Sequence, residues 1–176
     1  GSAGFQPAAN VQFHSFERQQ TASISRRHLP HWRQQGATYF VTFRLADALP
    51  QEKNRQLQNE RNEWLNRYPG ELTAQRQQEL NDFLWQWQEN ELDQGLGSCA
   101  LASPEVSDLV ERALRHFDGE RYVLGGFVVM PNHVHAILQP IQEHQLSEVL
   151  HSWKSFTANA VNKALNRSGQ FWQEES

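Results

Sequence analysis

The sequence predicts an α+β domain of ferredoxin-like, split βαβ plan, an antiparallel sheet with a helical hairpin inserted after the first strand. Three observations lead there. Residues 37–45 alternate Tyr39, Val41, Phe43 and Leu45 with Phe40, Thr42 and Arg44, the period of two that sends successive side chains to opposite faces of a strand. Two apolar runs, 122–130 and 133–138, are separated only by Pro131 and Asn132, as in an antiparallel hairpin. Between and after these strands, apolar residues recur at the helical spacing of three and four.

Along the chain, residues 1–4 start without Met and look like a tag remnant, and the Gln-rich stretch 5–21 shows no sustained period and reads as an arm or loop. Residues 1–25 are therefore set apart from a domain spanning 26–176. The segment Arg26, Arg27, His28, Leu29, Pro30, His31, Trp32 is basic, and Pro30 bars a regular helix through it, so it reads as an exposed arm. Residues 50–93 turn abruptly to Gln, Glu, Asn, Leu and Trp, broken at Tyr68, Pro69 and Gly70, the pattern of a helical hairpin inserted over about 50–94. Its first helix lines up Leu57, Trp64, Leu65 and Tyr68, its second Leu80, Phe83, Leu84 and Trp87, and the hairpin is expected to pack as a lid. Trp85 falls off that stripe. Ser103 and Pro104 open a third helix carrying Val106, Leu109, Val110, Ala113, Leu114 and Phe117 on one side. Gly125 and Gly126 interrupt the second strand and predict a bulge or a close backbone approach. Leu146, Val149, Leu150, Trp153, Ala160, Val161 and Ala164 mark a last helix, and Phe171 and Trp172 a final short extended piece.

Composition narrows the function classes. The 176 residues include 38% hydrophobic side chains and six Trp, enough apolar bulk for a real core. No window reaches the roughly 18 apolar residues of a membrane span, which reads as a soluble, intracellular protein. Cys99 is the single cysteine, so an internal disulfide and a cysteine zinc cluster are excluded. The net charge of −4 hides a segregation: residues 11–44 hold five Arg against one Glu, 47–120 hold 7 basic against 15 acidic, and 121–176 hold 4 of each. A phosphate-binding face built from the two ends is compatible with that distribution, as is an ordinary mixed surface.

His133 and His135, two residues apart on a strand, project from the same face and can share one ion. Such a pair also fits one hydrogen-bonded and one solvated imidazole. A histidine-triad hydrolase would need a further His where Ile137 stands.

The wider string VVMPNHVHAIL at 128–138 closely resembles the signature of the REP-associated tyrosine transposases, of the HUH group of single-strand DNA nucleases. RHLPH at 27–31, GATYFVTFRL at 36–45, WKSFTA at 153–158 and GQFWQE at 169–174 resemble the same family in the same order, so the resemblance covers about residues 26–176. It implies Mg²⁺ or Mn²⁺ held by His133 and His135 with a third ligand, and a tyrosine that attacks phosphorus to leave a 5′-phosphotyrosine and a free 3′-OH. The implied substrate is the repetitive extragenic palindrome, a DNA hairpin with a single-stranded foot. The implied location is the bacterial cytoplasm at the nucleoid. Homodimers are common among such relatives, and nothing in the sequence demands one.

For DNA contact the candidates are Arg26, Arg27, His28, His31 and Trp32 in the basic arm, with Arg44 and Lys154 nearer the core. Arginine grips phosphate or guanine edges and Trp stacks on splayed bases. The family's tyrosine follows the stretch matching GQFWQE, and Tyr39, Tyr68 and Tyr122 do not stand there. The expectation is therefore a chain that stops before its nucleophile at Ser176, holding most of a metal site and binding DNA without cutting it. The alternative is a hairpin-binding protein that has lost catalysis altogether. Glu174 and Glu175 are nearby carboxylates, read mainly as solvated.

Overall fold

The structure, a computed structural model, describes residues 23–27, 29–33, 36–141 and 143–174, with 23–33 in backbone only. It is α+β, as the periodicities predict. Strand β1 (Ser23–Arg27) and strand β2 (Leu29–Arg33) pair antiparallel, Arg26 opposite Pro30. The basic arm of the sequence reading is thus a two-stranded ribbon. Pro30 is compatible with it because a strand with one neighbour leaves an edge on which a missing N–H costs nothing.

A three-stranded sheet is built from β3 (Tyr39–Arg44), β4 (Tyr122–Val129) and β5 (His133–Pro140), in the order β3-β5-β4 with both pairings antiparallel. The expected hairpin between the second and third of these strands is present, and the register slips between Leu124 and Gly126, where the glycine pair predicted a bulge. The final extended piece is reduced to one antiparallel bridge, Trp172 to Leu45, on the free side of β3.

Helices α1 (Gln51–Arg67) and α2 (Ala74–Leu92) form the inserted hairpin, and α3 (Pro104–Arg115) and α4 (Leu146–Ala164) flank the β4–β5 pair in sequence. Thr73 caps α2 by accepting the Arg76 N–H. One sheet face carries Phe43, Leu45, Val134, Ala136 and Leu138, which bury against Val106, Val110 and Leu114 of α3 and Val149, Trp153 and Val161 of α4. At about 25 cal/mol per Å², this contiguous apolar face is the main source of stability.

The lid expectation needs correction. No residue of α1 is fully buried, and Phe83 and Trp85 of α2 stand exposed. Of α2, only Leu80, Glu89 and Leu92 are buried, so the hairpin meets the body chiefly through its C-terminal turns. Those turns are anchored. The Asn132 amide donates to the Leu92 and Leu96 carbonyls at 3.1 Å each, and Ser98 N–H donates to Asp47 Oδ2 at 2.8 Å. Gly97 sits at φ +87° against the Asp47 backbone, where a Cβ would collide with the Asp47 carbonyl.

Candidate metal centre

The second sheet face carries the site. In the antiparallel register Arg44 lies opposite His133, Thr42 opposite His135 and Phe40 opposite Ile137, while Val128 flanks His135 from the other side. Cross-strand partners share a face, so these side chains all stand away from the α3 and α4 core. Into this face, from a distant part of the chain, α2 brings Glu89, whose Oε2 lies 3.3 Å from His135 Nε2. Glu89, His133 and His135 each offer one ligand atom, and the three lie within 4.8 Å of one another.

Hydrogen bonds set which nitrogen each ring presents. Asn132 Nδ2 already donates to two carbonyls, so its Oδ1 accepts from His133 Nδ1 at 2.7 Å and His133 Nε2 keeps its lone pair. The Thr42 hydroxyl bonds to the Glu89 carboxylate, which can only accept, and its oxygen therefore receives the His135 Nδ1 proton at 2.9 Å. Both Nε2 atoms thus point inward, 2.9 Å apart. At that distance the two nitrogens can share one cation, a proton or a metal ion.

The residues fit a divalent ion. Adjacent ligands of an octahedron with bonds of about 2.1 Å stand about 3.0 Å apart, close to the 2.9 and 3.3 Å found here. Glu89 Oε1 is buried without a hydrogen-bond partner, an acceptor for which the protein supplies no donor. Burial raises the Glu89 carboxyl above its ordinary range, opposed by His135 and the Thr42 hydrogen bond.

Burial first, and the neighbouring His135 second, press the His133 pKa from 6.5 to about 4. His133, fully buried, is therefore a neutral ligand at pH 7. Between pH 6.5 and about 4 the unfolded chain takes up a proton that folded His133 refuses. The folded state accordingly loses stability as pH falls through that window, by about 3 kcal/mol from this group. Glu89 acts with the opposite sign, since its raised carboxyl binds a proton more readily when folded. Urea midpoints of the metal-free protein are expected to drop between pH 7 and 5, with a shallower slope in His133→Gln; equal slopes would place the titration elsewhere.

Residues 103–175 match the family described as transposase IS200-like. Over that stretch, less than half of the chain, the sequence is similar to IS200-like transposases. The match spans α3, β4, β5 and α4, and so contains both histidines. No curated protein and no solved structure matches the chain. Among the described residues no helix is long and apolar enough to cross a membrane.

Two of the expected site residues, His133 and His135, meet on one sheet face, and the third group beside them is Glu89 from outside the matched stretch. Sequence reading passed over Glu89 among the solvated acids of α2. Its signal was position, three residues before Leu92 on one helix side. Glu174 is exposed and outside the cluster, and Glu175 lies outside the described residues. Arg44 stands on the site face of β3. Lys154 donates to the Gln173 carbonyl at 2.7 Å, tying α4 to the segment that follows it. Arg26 and Arg27 lie on β1 and His31 and Trp32 on β2, where the structure describes backbone only, and His28 lies outside the described residues.

Of the three tyrosines, Tyr39 belongs to the core face of β3, two residues from Val41. Tyr122 is buried and donates to the Leu114 carbonyl. Tyr68 packs on Trp64 and Arg76 at the end of α1.

Proposed function

We propose that this chain is the DNA-handling part of a metal-assisted single-strand transposase that acts at repetitive extragenic palindrome hairpins. The observation that carries the reading is the inward pair of Nε2 atoms beside Glu89, with both histidines on a stretch that matches IS200-like transposases. Glu89, His133 and His135 would hold the ion. Of the two expected ions, Mn²⁺ suits a set with two imidazoles better than Mg²⁺, which prefers oxygen and retains water. When bound, it would neutralise and polarise a scissile phosphate.

The protein's own groups do the rest. Asn132 and Thr42 lock the two rings. Arg44, desolvated enough that its pKa falls below the ordinary value, keeps Nη1 buried without a hydrogen-bond partner on the same face, a donor for a phosphate oxygen. The ribbon with Arg26, Arg27, His31 and Trp32 supplies further DNA contacts, His28 is proposed to join them, and Lys154 adds charge beside Gln173. None of Tyr39, Tyr68 and Tyr122 stands where the resemblance places the attacking tyrosine, and this reading gives none of them that role. In that reading 26–176 is the domain, and about 50–94 an insertion that contributes one ligand. Its sheet is the split βαβ plan with the fourth strand shortened to the Trp172 bridge. A bacterial cytoplasmic location and pairing into a homodimer belong to the same proposal.

The test compares a labelled DNA hairpin carrying a single-stranded foot with the same duplex lacking it, with Mn²⁺, across a salt series. Selective binding to the footed hairpin, with a salt slope of a few phosphates, is the expected result. Equal affinity for both would overturn recognition of the unpaired foot.

A further inference from the structure

The site face of the sheet is ordered in rows. One row is Arg44 and His133, the next Thr42, His135 and Val128, and the third Phe40, Ile137 and Gly126. Rows two residues apart stand about 7 Å from one another. The first two rows hold the polar groups already described. The third, with Val128, is apolar and open: Phe40 is 55% exposed, Val128 54% and Ile137 41%. Elsewhere among the described residues, large exposed hydrophobics stand on helices or at their ends, so this group on one sheet face is distinctive.

Two details give the patch a shape. The Phe40 ring stacks on His135 with centroids 5.4 Å apart and planes 21° from parallel, so the aromatic surface is continuous with a metal ligand. Gly126 closes the row, and a Cβ built there meets nothing within 4 Å. No packing demands glycine at that position. Its effect is a flat, open floor beside Ile137 and Phe40.

We infer that this row is a stacking shelf for an unpaired nucleobase of the strand whose phosphate lies at Glu89, His133, His135 and Arg44. This deepens the DNA reading and rests on it. The occupant is chosen by its chemistry. An unpaired nucleotide strand alternates anionic groups with flat π-faces at about the spacing of the rows, and aromatic side chains bind such faces without regard to sequence. A protein partner would bury roughly 20–30 residues a side, far more than the four residues of this patch.

The experiment measures Kd in Mn²⁺ for fluorescein-labelled oligothymidylate and for an abasic oligomer of equal length, which has the same phosphates and no bases. The wild-type protein is expected to favour the intact strand by about 5- to 150-fold, the range of one stacked base. Phe40→Ala and Gly126→Leu, the latter filling the floor, should bring that ratio towards one while leaving abasic binding unchanged, and Phe40→Trp should keep it. Both positions are open to solvent, and thermal melts verify that each variant folds. A wild-type ratio near one, or a ratio that survives both Phe40→Ala and Gly126→Leu, overturns the shelf and leaves the DNA reading standing. Failure of the wild-type protein to bind either strand overturns the DNA reading and the shelf with it.

Discussion

Mn²⁺ affinity falls more than about 100-fold in His133→Ala and in Glu89→Gln, a loss larger than the roughly 10- to 100-fold typical of removing a residue that only supports a ligand. The reason differs between the two. His133 is fully buried with its Nε2 held inward by Asn132, so its removal deletes a pre-oriented donor. Glu89→Gln keeps the shape but removes the charge that opposes a dication. Asn132→Ala falls in the 10- to 100-fold class, with an added effect. It releases the Leu92 and Leu96 carbonyls and with them the turn of α2 that aims Glu89. Calorimetric titration with Mn²⁺ separates the three, and at a fixed concentration the ion should raise the melting temperature of the wild-type protein more than that of any variant, by mass action on the folded state. Unchanged affinity in Glu89→Gln would take α2 out of the site and leave a two-histidine centre.

Trp153→Ala destabilises the fold by about 3–5 kcal/mol, the cost of deleting a large buried aromatic and leaving a cavity. Trp153 is 2% exposed between α4 and the sheet, edge-on to Tyr122 and against Phe43. It also belongs to a buried hydrogen-bond chain: its Nε1 donates to the Tyr122 hydroxyl at 2.9 Å, and that hydroxyl donates to the Leu114 carbonyl at 2.8 Å. Trp153→Phe keeps most of the volume and loses the donor, so about 1 kcal/mol plus a smaller cavity term is expected. Against a total of about 5–15 kcal/mol for a domain, the alanine variant removes a large share. Urea titrations read both values, and a loss below about 1 kcal/mol in Trp153→Ala would mean that the α4 contact contributes little to the fold.

Most of the body was legible before any coordinates. The alternation in 37–45 appears as β3, the Gly125 and Gly126 interruption as a register shift in β4, and the stripe of Val106, Val110 and Leu114 as the buried side of α3. Each is a local pattern. The placement of His133 and His135 on one face follows from the strand period alone. What stayed hidden was contact between elements. The helical stripes of α1 and α2 are real as periodicities, yet α1 buries no residue fully, because amphipathic spacing does not say whether a partner surface exists. The β1–β2 ribbon was read as an arm, because Pro30 removes the helical option without indicating pairing.

Glu89 is the sharpest case. In sequence it is one of fifteen acids between residues 47 and 120, and nothing local separates it from the others. It becomes a candidate ligand because Asn132 grips the last turn of α2 and the Gly97 approach to Asp47 holds the following loop. The sequence by itself determined the elements, the two histidines and their common face, since these follow from side-chain periodicity over a few residues. The third carboxylate, the ring nitrogen each histidine presents and the open row beside them were decided only by the tertiary structure, because each depends on which distant surfaces meet.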